Sequence, residues 1–220
     1  MMKYLTKTST LTAALALSSA VGSLNAVTLN WGGAALATDY FSDGTALDSS
    51  VTFELGYFQT ITNPLISNAT QWNADFVTLD SSGYNTETRQ FGDSFETSAS
   101  DNLSPNPPAG TQLYIFAYTE REIGIDTEFA LITGNGPGLD SSFIFPDLDN
   151  TTQASFTPEF RVSTSNNVIV GRTATSTGQG NSTDSPILSQ GGIQLFTIPE
   201  PSSVMLLFIG ATGLLVRRKR

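Results

Sequence analysis

The chemistry open to this chain depends on its carboxylates, because the other common catalytic side chains are missing. The 220-residue sequence has no His and no Cys, and residues 27–198 contain no Lys. Nucleophilic triads need a base beside Ser or Cys, ordinary zinc sites need His or Cys, and phosphate-binding loops need Lys. These classes are excluded, which leaves carboxylate catalysis and calcium binding.

Two pairs of acidic residues could carry out glycoside hydrolysis, which needs only two suitably separated carboxylates. Glu120 and Glu122 would lie on one face of a strand, as would Asp126 and Glu128, since side chains alternate along a strand. The favoured alternative is a solvated hairpin, with Arg121 and these acids at its turn. We therefore expect a protein without catalytic activity.

A second acidic cluster offers oxygen ligands of the kind that calcium binds. Asp147, Asp149 and Asn150 follow Pro146 within one short loop, and Asp140 is close in sequence. Asp and Asn are equally common in plain turns, and the spacing of an EF-hand is absent. Calcium is the one cofactor that the sequence suggests, and no other is expected.

Four large aromatic residues raise the alternative of carbohydrate binding. Trp31, Trp72, Tyr84 and Tyr114 could stack on sugar rings if they were exposed, although large aromatics in a β-protein more often form the core. Nucleic-acid binding is not expected. Residues 27–198 hold four Arg against nineteen acidic residues, a formal net charge of −15 that would repel phosphate backbones.

Alternating apolar residues between the two ends predict one all-β domain over residues 27–197, a β-sandwich or jelly-roll-like fold. Residues 113–118 are apolar on both faces, which suits a central strand, and Pro158 places the segment 154–162 at an edge or bulge. Residues 172–192 are polar and Gly-rich and are interpreted as a loop or linker. The other predicted strands span residues 27–31, 51–57, 75–79, 128–133, 167–171 and 193–197.

Residues 1–26 have the layout of a secretory signal peptide. Lys3 and Lys7 precede an apolar stretch, and Ala26 is the preferred cleavage position for signal peptidase, with Ala20 as the alternative. The chain is therefore expected to be exported.

The C-terminal segment 198–220 combines a short apolar run with a basic end. Residues 204–216 carry no charge, but a helix of that length spans about 20 Å, less than the roughly 30 Å of a bilayer core. Glu200 and Pro201 prevent its extension towards the N-terminus. Arg217, Arg218, Lys219 and Arg220 act as a membrane stop that stays in the cytoplasm. A short tail anchor is one interpretation, and a processing signal is the other.

This segment resembles the PEP-CTERM sorting signal of Gram-negative bacteria. Pro199, Glu200 and Pro201 match its signature, residues 204–216 its hydrophobic helix and residues 217–220 its basic end. The resemblance implies transient insertion in the inner membrane, processing by the transpeptidase-like membrane enzyme exosortase, and delivery to the cell surface or extracellular matrix.

The body is similar to a recurrent, largely uncharacterised domain of PEP-CTERM proteins. The similarity lies in Phe53–Phe58, Trp72, Gly110, Tyr114-Ile115, Leu131–Thr133 and Phe145-Pro146. It implies no activity. A structural or adhesive surface protein is therefore expected. The alternatives are a carbohydrate-binding module of an exopolysaccharide matrix and, less favoured, a carboxylate-dependent glycoside hydrolase.

Overall fold

Strands rich in apolar residues build most of the fold, as the alternating sequence pattern predicts. The computed structural model describes residues 26–98, 107–124, 126–136, 139–150, 157–164 and 167–198. The strands are β1 (Ala26–Gly32), β2 (Thr52–Phe58), β3 (Phe76–Gly83), β4 (Ser94–Ser98), β5 (Tyr114–Tyr118), β6 (Glu128–Thr133), β7 (Glu159–Arg161), β8 (Asn167–Val170), β9 (Arg172–Thr173), β10 (Ile193–Gln194) and β11 (Phe196–Thr197). The all-β class is confirmed, whereas residues 1–25 and the predicted helix at 204–216 lie outside the described residues.

A six-stranded antiparallel sheet forms the centre of the body. Its order is β3-β2-β5-β6, and both β11 and β8 pair with the far edge of β6. Every residue of β5 is buried, as are all but the first residue of β2 and of β6. The prediction that residues 113–118 supply a central strand is therefore confirmed, because only a sheet covered on both faces buries both sides of a strand.

A smaller sheet covers one face of the central sheet and makes the body a β-sandwich. In it β1 pairs antiparallel with β4 and parallel with β7. Leu29 and Trp31 of β1 share a buried cluster with Phe53 and Ile132 of the central sheet. The rings of Phe53 and Phe91 stack nearly parallel with centroids 3.7 Å apart, which adds an aromatic contact to the apolar burial.

Two short helical segments cover the opposite face. These are a 3-10 turn (Ile66–Gln71) and the single helical turn α1 (Trp72–Asp75) that follows it. Another single helical turn, α2 (Leu139–Ser142), lies elsewhere in the chain. Trp72 is completely buried and meets the rings of Phe116 and Phe129 edge-on at 6.0 and 5.8 Å. No helix was predicted here. The 3.6-residue pattern that announces a helix needs more than one turn to show.

One ion pair joins a buried acid of the central sheet to a partly exposed arginine. Glu54 of β2 is 5% exposed, and its Oε1 lies 2.6 Å from Nη1 of Arg121. The Tyr118 hydroxyl donates to Oε1 at 2.8 Å, and the Thr78 hydroxyl donates to Oε2 at 2.8 Å. These donors replace the water that the buried carboxylate lost. Burial, followed by the bond to Glu54, raises the pKa of Tyr118 to about 12.

The polar segment 172–192 is attached to the body along its length. It contributes β9, which pairs with β10, and the Thr183 amide donates to the Ser42 carbonyl at 2.9 Å. Near its end the Ser189 amide donates to the Thr38 hydroxyl at 2.8 Å. These contacts hold residues 172–192 against the loop that follows β1.

Strand β4 was not predicted, and β7 is short. Phe95 and Thr97 of β4 face the interior, and Glu96 is exposed. Because only one of these residues is apolar, the sequence shows no alternating hydrophobic pattern at this strand. Strand β7 begins directly after Pro158 and lies at an edge of the smaller sheet, as the proline predicted. Residues 151–156, the earlier part of that predicted strand, lie outside the described residues.

Candidate functional site

The acidic residues proposed as catalytic pairs lie around a turn. Strand β5 ends at Tyr118, so Glu120 and Glu122 are exposed in the connection to β6 and do not belong to a strand. The strand placement of these two residues is wrong, because the chain bends directly after Thr119. Asp126 is also exposed in the connection. Glu128 accepts hydrogen bonds from the Ser42 amide at 2.9 Å and hydroxyl at 2.6 Å, and so it is engaged in holding a loop.

The residues of the predicted calcium site form a local turn. The Asp149 amide donates to Asp147 Oδ1 at 3.1 Å, and the Asn150 amide donates to the Asp147 carbonyl at 3.1 Å. Among the residues that the structure describes, no three acidic side chains converge as a metal site requires. Calcium binding at Asp147, Asp149 and Asn150 stays a prediction.

The four aromatics considered for sugar stacking are all part of the interior. Trp31 and Trp72 are 1% and 0% exposed, and Tyr84 and Tyr114 are 6% and 7% exposed. The two indole nitrogens also have internal acceptors, Asp80 Oδ2 at 2.7 Å and Asn68 Oδ1 at 2.8 Å. These residues therefore belong to the core, as the alternative interpretation predicts, and do not offer a stacking surface.

The structure forms a pocket that the sequence analysis missed, here called the Asp39 pocket. It has a volume of about 300 Å³, with Asp39 at its floor, the exposed Arg89 at its rim, and Thr38, Tyr40, Leu47 and Tyr84 in its walls. The loop after β1 supplies residues 38–47, and the connection from β3 to β4 supplies Tyr84 and Arg89. No sequence motif contains these residues, because they lie in two loops whose composition is that of ordinary connections between strands.

Asp39 is fixed by backbone contacts on one side and unpaired on the other. The Ile193 amide donates to Oδ1 at 2.8 Å, and the Leu47 amide donates to the Asp39 carbonyl at 3.0 Å. The second carboxylate oxygen, Oδ2, is buried and has no hydrogen-bond partner among the described residues. The Tyr84 hydroxyl is near enough to couple with this carboxylate, but its geometry falls short of a hydrogen bond.

Burial dominates the electrostatics of the pocket. It raises the pKa of Asp39 from 3.8 to about 6, against the opposing effects of the Ile193 amide and Tyr84. Burial also raises the pKa of Tyr84, with a further increase from the Asp39 charge and a small decrease from Arg89. A buried acid with a shifted pKa in a cleft is a physical indication of a functional site.

Arg89 is presented at the rim by a tight turn. The Asn85 side chain accepts hydrogen bonds from the amides of Glu87 and Thr88 at 2.9 and 3.0 Å, and Asn85 and Gln90 exchange both backbone hydrogen bonds. The turn places Arg89 at φ 48°, a left-handed conformation that costs a residue with a Cβ about 1 kcal/mol. The backbone of Arg89 is thus held beside the pocket at some cost to the fold.

The residues assigned to sorting lie outside the described part of the chain. These are Pro199, Glu200 and Pro201 of the motif and Arg217, Arg218, Lys219 and Arg220 of the basic end. Over the ranges that the structure does describe, no helix has the length and apolar character needed to cross a membrane.

Comparison with known proteins matches the C-terminal segment and no other part of the chain. No curated protein and no solved structure matches the chain. Residues 197–220 match the family model of the PEP-CTERM protein-sorting motif. The match covers the Pro-Glu-Pro signature, the apolar run and the basic end on which the resemblance rests. This is therefore an exported protein that carries a PEP-CTERM protein-sorting motif, the signal for an exosortase-type membrane enzyme.

Proposed function

We propose that the protein is a non-catalytic structural or adhesive component of the cell exterior. In this account signal peptidase removes residues 1–26, and the C-terminal segment pauses in the inner membrane of a Gram-negative bacterium. An exosortase-like enzyme then processes the Pro199–Pro201 region and delivers the β-sandwich to the cell surface or extracellular matrix.

The observation that carries this proposal is the sorting motif at residues 197–220. Its first two residues belong to the folded body. Thr197 pairs with Glu128 of β6, and Ile198 packs against the second buried cluster of the central sheet. The last described residue of the body, Ile198, directly precedes the Pro199–Pro201 signature in the sequence.

A role without catalysis is supported by the residue types and by their placement. The body has no His, Cys or Lys, and Glu128, one of the four candidate acids, is engaged in binding Ser42. The net charge of −15 over residues 27–198 favours solubility outside the cell. A glycoside hydrolase is the less favoured alternative, because no observation about the acids supports it.

The test is the location of the tagged full chain in cells with and without the exosortase. A variant with Pro199, Glu200 and Pro201 all replaced by Ala is compared in the same cells. We expect surface or matrix location only when both the enzyme and the motif are intact, with membrane retention otherwise. An unchanged location in all three cases would rule out the proposal.

Carbohydrate binding is the second candidate function. It is favoured by the Asp39 pocket and not by the aromatics first considered for it.

A further inference from the structure

The Asp39 pocket holds two opposite charges that the fold leaves unpaired. Within the described residues, the ion pairs are Arg121 with Glu54 and Arg161 with Glu159, so neither Asp39 nor Arg89 has such a partner. Asp39 is 3% exposed, and its Oδ2 accepts no hydrogen bond. A buried carboxylate oxygen without a hydrogen bond is costly, and the Ile193 amide and Tyr84 offset only part of the burial of Asp39.

The signs of these charges restrict the ligand. An anion would suit Arg89 but would be repelled by Asp39 at the floor and by the acidic body. A cation would suit Asp39 but would meet the guanidinium at the entrance. A hydroxyl group both donates and accepts, so neighbouring hydroxyls of one neutral molecule can donate to Asp39 and accept from Arg89.

The walls and the size of the pocket agree with such a ligand. Tyr40, Ala46 and Leu47 line the pocket with apolar surface. A volume of about 300 Å³ is at the lower end of the range for small-molecule sites. We propose that the Asp39 pocket binds a neutral polyhydroxylated ligand the size of one sugar ring, with Asp39 as acceptor and Arg89 as donor.

The pocket must adjust slightly when this ligand enters. Oδ2 of Asp39 is shielded from bulk water, so a ligand hydroxyl reaches it only after a change of side-chain rotamers in the wall. Changes of this kind are common on binding and leave the backbone in place. The inference names a site for the second candidate function and does not depend on processing of the C-terminal motif.

The experiment is calorimetric titration of the exported protein, purified from cells that produce the full chain, with defined small sugars. The neutral probes are the methyl glycosides of glucose, galactose and mannose, and the charged probes are glucuronate and glucosamine. Asp39→Asn removes the charge at the floor, and Arg89→Gly removes the guanidinium at a φ that glycine adopts freely. Asp43→Asn is the matched control, because Asp43 is an exposed acid on the same loop and is not part of the pocket.

We expect at least one neutral glycoside to bind to the wild type and to Asp43→Asn with equal affinity. Binding should weaken by about tenfold or more in Asp39→Asn and in Arg89→Gly, as a lost charge-assisted hydrogen bond predicts. Circular dichroism of each variant confirms that the fold is retained. The inference is overturned if no neutral glycoside binds, if both folded pocket variants bind as well as the wild type, or if a charged probe binds more tightly than the neutral ones.

Discussion

At the residue scale, Asp39 is held in the folded protein at a cost in stability. Its pKa rises from 3.8 to about 6 on folding because the carboxylate is buried. Between about pH 4 and pH 6 the folded state therefore binds more protons than the unfolded state, and stability falls as the pH rises through this window. Above about pH 6 the charged Asp39 lowers the stability of the fold by a constant amount. That amount is on the order of 2–3 kcal/mol, since one pKa unit corresponds to about 1.4 kcal/mol.

Asp39→Asn should remove this cost. We expect the variant to be more stable than the wild type at pH 7 by about 2 kcal/mol, with the difference disappearing near pH 4. Urea unfolding at pH 7 and pH 4 measures the free energy of unfolding of both proteins. Subtracting one from the other removes the contributions of the other titrating groups, which both proteins share. Asp43→Asn should show no gain at pH 7, because hydrogen bonds from Thr45 lower the pKa of Asp43 in the folded state. Parallel pH profiles for the wild type and Asp39→Asn would contradict the argument.

The ion pair of Glu54 and Arg121 stabilises the fold, whereas the charge of Asp39 destabilises it. Arg121→Ala leaves the carboxylate buried with only two hydroxyl donors and should lower the free energy of unfolding by about 2 kcal/mol. The full effect of breaking a buried pair is reduced because the Arg121 side chain is 36% exposed. Thermal or urea unfolding measures the loss.

The double variant Glu54→Gln with Arg121→Ala separates charge from packing. It should recover about 1 kcal/mol, since the unpaired charge is gone. A double variant no more stable than Arg121→Ala would mean that the guanidinium acts through its contacts with Phe76 and Asn73 alone.

Little of the candidate site could be predicted from the sequence. Asp39 and Arg89 are about fifty positions apart, in loops whose composition is that of ordinary turns. Their roles depend on burial and on an unpaired oxygen, which arise only when the loops pack together. In contrast, the absence of His and Cys excluded whole classes of chemistry from composition alone.

At the element scale, strand β2 depends on a close approach at Gly56. The register with β3 shifts between Leu55 and Gly56, and a Cβ on Gly56 would lie 2.2 Å from the Val77 carbonyl oxygen and 2.6 Å from the Phe76 ring. Gly56→Ala should therefore cost about 2 kcal/mol or more in unfolding free energy. Gly83→Ala, in the partner strand, meets nothing within 4 Å and should lie within about 0.5 kcal/mol of the wild type. Equal stability of the two variants would show that the strands separate easily at Gly56.

The last strand, β11, brings the fold close to the sorting signature. The amides of Thr197 and Asn181 each donate to the carbonyl of the other at 3.0 Å, and Ile198 packs against the core. A four-residue Gly-Ser insertion between Ile198 and Pro199 adds up to about 13 Å of reach. The insertion should shorten the half-life of the unprocessed chain in a pulse-chase experiment. The reason is that the signature lies farther from strand β11 and is more accessible to the enzyme.

The same insertion between the exposed Ala174 and Thr175 is the control for this experiment. It should leave the processing rate unchanged. Slower processing, or an equal effect of both insertions, would contradict steric shielding of the signature by the fold.

The strands were the most predictable part of the structure, for a physical reason. Strand β6 (Glu128–Thr133) coincides with its prediction, because a run buried on both faces has a strong apolar signal. Strand β4 and helix α1 are too short and too polar to show a period. The pairing of β1 with both β4 and β7 depends on contacts distant in sequence that no local pattern contains.

At the scale of the whole molecule, a β-sandwich is followed in the sequence by a protein-sorting motif. The two parts carry different information. The match at residues 197–220 identifies a sorting motif, while the body matches no curated protein or solved structure and must be understood from its own geometry. Among the described residues, that geometry includes a pocket lined by Asp39 and Arg89, two opposite charges without an ion-pair partner.

The most direct test of the central claim is the intact mass of the exported protein from cells with and without exosortase. Processing by signal peptidase and exosortase predicts a mass that lacks residues 1–26 in both strains. In the cells with exosortase, the mass should also lack the sequence that follows the Pro199–Pro201 signature. Identical masses in the two strains, with the basic end at residues 217–220 retained in both, would contradict sorting through the PEP-CTERM motif.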